Sequence, residues 1–400
     1  MDYTGIILTG TSASGKSSIA QALCSFDGRF QIVKALTTRE PRDDDFNYEY
    51  ISKEVFGERR GRGEFIIEAE YRNEYYSISQ DHIKEVIDNG KIPILIITPQ
   101  STSNPLKIGG IKRDFLSFFL DATDSILEQR LIARGSSINR QNVVERNNSD
   151  REYQKHSLYG IITTRGEDIK EVVNLIVWSW NNKNSGGILP SQIIKLFIKY
   201  CSLVESEFMI NYEKNISAAS FDLTLGDSYF QNGQIKELKD NEPNIVIHPG
   251  DFIVVGSQER VSMPASIAGR FDLTVSMFCK GLILSNGPQV DPGFKGNLFC
   301  LLFNTSSEKI ELQKGTHYAT IEFHKLVEPT LNPYSEKDKY QHKEKIMHYL
   351  PVTKSISIIH QVQKDIESLK NEKRLMQTLT IIISIVGILL AAAALVVTLK

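Results

Sequence analysis

An apolar run, Ile6-Ile7-Leu8-Thr9, passes directly into Gly10-Thr11-Ser12-Ala13-Ser14-Gly15-Lys16-Ser17, and a helical pattern starts at Ser18. Strand, glycine-bounded loop, lysine and helix in this order spell a phosphate-binding loop and commit the first part of the chain to an α/β sheet that can support it. The glycines let backbone N–H groups turn inward around an anion, and the dipole of the following helix adds positive potential. Lys16 suits β- and γ-phosphate oxygens, and the Ser17 hydroxyl suits Mg²⁺. Gly10 through Ser18 are therefore the candidate ATP-binding residues, with ATP and Mg²⁺ as the expected cofactors.

Apolar and helical segments alternate as far as residue 180: Gly5–Thr9, a helix over Ser17–Cys24, Gln31–Ala35, a helix over Gln80–Asn89, Ile92–Thr98, Phe115–Leu120 and a helix over Asp124–Arg134. This predicts a parallel sheet with helices on both faces, over residues 1–183. The polar Asn181–Gly187 stretch reads as a linker, and residues 184–204 as linker plus a short helix near Ser191–Tyr200. Over residues 205–327 the texture changes to short β-branched and aromatic runs punctuated by Gly, Pro and Asn, which predicts an all-β barrel or jelly roll. With 400 residues, 41% of them hydrophobic, the chain can fill more than one core. A formal charge of −2 leaves no basic field, so nucleic acid is not expected as a partner. Cys24, Cys201, Cys279 and Cys300 lie far apart without a CxxC, which argues against a disulfide framework or structural zinc.

The C-terminal end has a different character. Residues 328–354 are polar and read as a tether. Ile359, Val362, Ile366, Leu369, Lys373 and Met376 then recur at three- and four-residue spacing, the pattern of a helical stalk over 355–377. Thr378 to Leu399 carries no charge and is long enough, as a helix, to cross about 30 Å of hydrocarbon. A single transmembrane helix over 378–399 is the expectation, with the lipid bilayer as partner. Lys370, Lys373 and Arg374 before it favour the N-terminal domains lying in the cytoplasm.

Downstream of the phosphate loop lie Thr37-Thr38-Arg39-Glu40-Pro41-Arg42, Asn47-Tyr48, Glu64 to Glu70, Tyr75-Tyr76-Ser77 and Leu127-Glu128-Gln129-Arg130 with Arg134-Gly135. In order and spacing, residues 4–180 resemble the guanylate kinase family. The resemblance implies that Arg39, Arg42, Tyr48 and Tyr76 bind the acceptor phosphate, and that Arg134 with Arg146 or Arg151 neutralises charge on the transferred phosphoryl group, beside catalytic Lys16. Two departures stand out. Ile67 occupies the position of the carboxylate that reads guanine in that family, and Ile96 and Thr98 replace two acids near the phosphates and metal.

In the β-rich half, Ser220–Gly226, Ile247-His248-Pro249-Gly250-Asp251, Val290-Asp291-Pro292-Gly293-Phe294-Lys295-Gly296 and Phe303-Asn304 resemble the trimeric dCTP deaminase and dUTPase family over residues 205–327. This implies a homotrimer with nucleotide-binding residues Ser276, Gln289, Val290, Asp291 and Asn304. Leu301 stands where the deaminase carries its general acid/base glutamate, so water activation lacks its obvious group. The expected function is a membrane-anchored, ATP-dependent nucleoside monophosphate phosphotransferase with an appended nucleotide-binding domain impaired in catalysis. A non-catalytic nucleotide-sensing trimer, and an active dCTP deaminase or dUTPase using Asp291, remain the alternatives.

Overall fold

The computed structural model describes residues 3–41, 47–71, 73–102, 115–133, 140–157, 159–164, 169–205, 209–231, 233–238, 244–285, 287, 289–335, 337–338 and 358–398. Within them, β1 (Gly5–Gly10), α1 (Lys16–Phe26) and β2 (Phe30–Ile32) open the chain. The expected Gln31–Ala35 strand is broken at Val33-Lys34: β2 joins the main sheet, while β3 (Ala35–Thr37) starts a second one. There follow β4 (Tyr48–Tyr50), α2 (Lys53–Gly61), β5 (Phe65–Tyr71), β6 (Glu74–Ser79), α3 (Gln80–Asp88), β7 (Ile92–Ile96), β8 (Phe115–Asp121), α4 (Asp124–Ala133), α5 (Arg140–Arg151), β9 (Gly160–Thr163) and α6 (Ile169–Asn181). Strands β2-β7-β1-β8-β9 form a parallel sheet, and β4-β3-β6-β5 form a smaller mixed sheet beside it.

Burial on both faces explains the unbroken apolar character of β1. Ile6 and Leu8 pack with Ile19 and Leu23 of α1 and Val172 and Ile176 of α6. Ile7, pointing the other way, packs with Ile83 and Val86 of α3 and with Ile67 and Ile78 of the small sheet. The sheet thus has helices on both faces, as the alternation predicts, and the loops at the C-terminal ends of its strands are free to form a site.

After β10 (Gly187–Ile188) and α7 (Ser191–Cys201) come β11 (Val204–Glu205), β12 (Ser220–Gln231), β13 (Gln234–Glu237), β14 (Asn244–Ile247), β15 (Phe252–Ser262), β16 (Ile267–Leu273), α8 (Val275–Cys279), β17 (Leu282–Ser285), β18 (Gln289–Val290), β19 (Lys295–Asn304), β20 (Ile310–Gln313) and β21 (His317–Lys325). They pair antiparallel in the order β17-β19-β15-β12-β21-β16-β18, with β14 and β20 as a separate ribbon. Strand β19 buries alternate side chains, Leu298, Cys300 and Leu302, as a one-sided core requires. This is the β-rich domain expected from the texture.

The segment read as a linker is structured instead. Gly187 and Ile188 pair with Lys325 and His324, so β10 extends the sheet at β21, and α7 packs on β9 and α6. Polar, glycine-rich composition does not reveal such pairing, because backbone hydrogen bonds from a partner distant in sequence supply it.

The stalk and the expected span are one continuous helix, α9 (Ile358–Thr398). The transmembrane expectation is not supported here: among the described residues, no helix is long and apolar enough to cross a membrane. The side chains of α9 are described as far as Ile388, which leaves eleven residues of the 378–399 run, about 16 Å of helix against the roughly 30 Å required. The remainder of the expected span lies outside the described side chains. Much of the expected 328–354 tether also lies outside the described residues.

Candidate functional site

The phosphate loop closes in the backbone conformation its sequence demands. Gly10, Ala13 and Gly15 have positive φ, at 136°, 64° and 96°. Thr11 N–H donates to the Leu120 carbonyl at 3.1 Å, which ties the loop to the end of β8. Lys16 Nζ lies across the loop and donates to the Gly10 and Thr11 carbonyls at 2.9 and 2.7 Å. Ser17 and Ser18 begin α1, where its dipole faces the loop.

Several residues that sequence reading did not assign support this loop. Arg130, in the last turn of α4, donates from Nη1 to the Ala13 carbonyl at 3.0 Å. The Thr164 hydroxyl lies 3.0 Å from the Ser14 carbonyl. Asp121, at the C-terminal end of β8, accepts from the Thr11 hydroxyl at 3.0 Å. Asp150, in the last turn of α5, is 3% exposed and accepts from Gln100 Nε2 at 3.2 Å. The positive charges of Lys16 and Arg146 favour its ionised form. Burial raises the Asp150 carboxyl above its ordinary value, and the two cations oppose that shift without cancelling it. Asp121 was detectable as an acid ending an apolar strand; Asp150 carried no signal, because only helix packing brings it to the loop.

The three arginines expected to stabilise transfer are distributed differently. Arg146 is carried by α5, and its charge favours the ionised form of Asp150 on the same helix. Arg151 is engaged by Asp121 at 2.8 Å and Asp124 at 3.0 Å, a pair of bonds that outweighs burial and raises its guanidinium. It therefore braces α5 against α4 rather than reaching toward a phosphate. Arg134 lies outside the described residues.

On the small sheet, Arg39 stacks over the Tyr48 ring at 5.1 Å, and the Tyr48 and Tyr76 rings are 6.4 Å apart. Three of the four expected acceptor-phosphate residues thus come together; Arg42 lies outside the described residues. Ile67 is 2% exposed and belongs to the apolar layer between the sheets, so the position that would read guanine carries no polar group. Ile96 is buried, and the Thr98 hydroxyl is paired with that of Ser101 at 2.9 Å.

In the β-rich domain, Gln289 Nε2 donates to Asp291 Oδ1 at 2.7 Å on an exposed turn, while Val290 between them is buried. The Ser276 hydroxyl pairs with that of Thr274 at 3.1 Å. Asn304 differs from its expected role. It is fully buried, with Nδ2 donating to the Ile247 and Glu308 carbonyls at 2.9 and 2.8 Å and Oδ1 accepting from Ser306 N–H at 2.9 Å. Its polar atoms fasten the 304–308 turn to β14. Leu301 pairs opposite Val254. One of the two buried carboxylates among the described residues of this domain, Glu259, is held by the Thr224 N–H at 2.9 Å and hydroxyl at 2.6 Å, and burial raises its carboxyl against those bonds; the other is Asp251.

Comparison with known proteins agrees with this division. Residues 3–176 match the guanylate kinase family and residues 201–326 the dCTP deaminase-like family. A dCTP deaminase of Thermococcus kodakarensis is 37% identical over 122 residues, covering 30% of this chain and 77% of the relative. That of Pyrococcus horikoshii is 34% identical over 123 residues, 31% of this chain and 78% of the relative. A guanylate kinase of Clostridium perfringens is 33% identical over 135 residues, 33% of this chain and 61% of the relative. The chain belongs to the dCTP deaminase-like family through its β-rich domain, which here follows a guanylate kinase domain.

Proposed function

We propose that the N-terminal domain transfers the γ-phosphoryl group of ATP to a nucleoside monophosphate, and that the β-rich domain binds a nucleotide without deaminating it. The observation that carries the first half is the Arg39–Tyr48–Tyr76 cluster, a second phosphate-binding surface in a domain that already holds a phosphate loop. Two anion sites are what phosphoryl transfer between nucleotides needs. The loop suits ATP: N–H groups and Lys16 take the phosphates, and the Arg146 guanidinium suits charge developing on the transferred group. Magnesium arrives with the phosphates, so one protein donor, the Ser17 hydroxyl, suits it; among the described residues no group of three or more His, Cys, Asp or Glu side chains could hold a metal by itself.

Ile67 loosens acceptor choice, since a carboxylate that reads a base contributes about 1.5–3 kcal/mol through its charged hydrogen bond. Leu301 and the fully engaged Glu259 argue against water activation in the β-rich domain. The same substitutions favour a second reading, in which both domains sense nucleotides without turnover. The uncharged Thr378–Leu399 sequence supports anchoring of the C-terminal helix in a bilayer with the domains in the cytoplasm, and membership of the dCTP deaminase-like family supports a homotrimer.

The test is transfer of label from ATP to a panel of nucleoside monophosphates by the purified full chain. Transfer that Lys16→Ala abolishes supports the kinase, whereas ATP binding with no acceptor phosphorylated supports the sensor. Ammonia released from dCTP, or pyrophosphate from dUTP, would overturn the reading of the β-rich domain.

A further inference from the structure

Helix α7 is bonded to both domains. At its start the Ser191 N–H donates to the Ala218 carbonyl at 2.9 Å, just before β12. At its end Ser202 takes the left-handed conformation, with φ of 51°, and the Leu203 N–H folds back onto the Phe197 carbonyl at 3.2 Å, so the helix is capped tightly. The Leu203 carbonyl then accepts from the Ser262 N–H at 3.1 Å, and Val204 pairs with Val261 of β15. The side of α7 is fastened to the other domain. Glu171 of α6 accepts from Lys199 Nζ at 2.6 Å and from the Tyr200 hydroxyl at 2.5 Å. Cys201 lies beside β9, where a Cβ at Gly160 would be 3.9 Å from its sulfur.

Each attachment continues to a candidate nucleotide site. On one side, β9 runs into Thr164, whose hydroxyl donates to the Ser14 carbonyl of the phosphate loop at 3.0 Å and whose N–H donates to the Asp121 carbonyl at 2.7 Å. On the other, Ser262 is followed by Met263, whose N–H donates to the Phe294 carbonyl at 2.9 Å and whose carbonyl accepts from the Gly293 N–H at 3.0 Å. The Phe294 N–H in turn donates to the Asp291 carbonyl at 3.1 Å, closing the turn that carries Gln289, Val290 and Asp291. Ile194 and Phe197 of α7 belong to the same apolar cluster as Ile6 of β1 and Val261 of β15. A close-packed core of this kind transmits a shift at one side to the other.

We infer that α7 couples the two nucleotide sites, so that a nucleotide held at the 289–294 turn regulates the affinity of the phosphate loop for ATP. This rests on the proposed binding of nucleotides by both domains and adds regulation to it. A ligand on the turn fixes Met263 and the adjoining Ser262–Leu203 bond, which holds α7 against β9 and Thr164 against the loop. The loop binds phosphates through backbone N–H groups whose directions depend on its conformation, so holding it in place strengthens binding. The coupling is therefore positive, and each ligand tightens the other by the same factor.

The experiment is equilibrium titration of the full chain with MgATP, alone and at saturating dCTP or dUTP, and of these two nucleotides with and without saturating MgATP. A gain of about fivefold or more in MgATP affinity is expected, with an equal gain in the reverse direction. Glu171→Ala and the double variant Lys199→Met with Tyr200→Phe remove the α6–α7 bonds from opposite sides, and thermal melts establish that they fold. Both should bind each nucleotide alone as the unaltered chain does and lose most of the coupling; coupling that survives in both overturns the assignment to α7. Affinities independent of the other nucleotide overturn the inference while leaving both sites intact. If dCTP and dUTP only compete with MgATP, and their binding is lost with Lys16→Ala, they occupy the phosphate loop and the inference is overturned as well. Absence of binding by MgATP, or by both deoxynucleotides, overturns the nucleotide-site reading of the domain concerned and the inference with it.

Discussion

A methyl group at Gly10 would lie 1.9 Å from the Leu120 carbonyl oxygen, on a backbone with φ of 136°. Neither the overlap nor the dihedral can be relieved without moving β1 away from β8, so Gly10→Ala is expected to cost at least 100-fold in ATP affinity, about 2.7 kcal/mol, in nucleotide titration. The loop was legible in sequence because such constraints act within a few residues. Asp150 and Arg130 were not, because their position depends on packing of α5 and α4 behind a loop more than a hundred residues earlier. Asn304 shows the opposite error: the family pattern around it suggests a ligand contact, yet its side chain is spent on Ile247, Glu308 and Ser306. Asn304→Ala removes the buried Nδ2 bonds to the Ile247 and Glu308 carbonyls and the acceptor of the Ser306 N–H, and is expected to destabilise the chain by about 2–4 kcal/mol in urea unfolding, whereas Asp291→Asn on the exposed turn should change stability by less than about 0.5 kcal/mol.

Among elements, β1, α1, α3, β7, β8 and α4 were legible from periodicity, and the structure moves their ends by at most two residues, whereas β12 and β15 run well past the short runs Phe221–Leu225 and Phe252–Val255 read from the sequence. Short pieces were not. The Gln31–Ala35 run is divided between two sheets, and β10 exists only because the edge of β21 accepts it. That junction has an unusual fastening: Lys325 is 7% exposed, and its Nζ donates to the Ser185 carbonyl at 2.7 Å and the Leu326 carbonyl at 3.1 Å. Burial lowers its pKa from 10.5 to about 8. The unfolded chain therefore holds this proton more tightly than the folded one between pH 8 and 10.5, so the Lys325 contribution to stability rises through that window and is lost as pH falls through 8. Compared by urea unfolding, Lys325→Met should be relatively most stable near pH 7, with the difference shifting toward the unaltered chain by up to about 3 kcal/mol as pH is raised to 10.5.

For the whole molecule, one apolar cluster runs from Ile6 of β1 through Phe197 of α7 to Phe323 of β21, so the guanylate kinase and dCTP deaminase-like domains share a core. Among the described side chains of α9, the apolar Val362, Ile366, Leu369 and Met376 are 49%, 47%, 62% and 65% exposed in a single chain. Their heptad spacing suits association of several copies of α9, and the uncharged sequence that follows suits insertion into lipid. If the β-rich domain sets the number of copies while α9 supplies the lipid contact, the two properties separate on truncation. Removal of residues 355–400 is then expected to release the chain from phospholipid vesicles in a flotation assay while light scattering still gives the mass of three chains. A truncated chain that floats with the vesicles would place the lipid contact in the two domains. A single-chain mass would transfer assembly to α9, and the β-rich domain would then act as a nucleotide-binding domain brought together with its copies only through the helix.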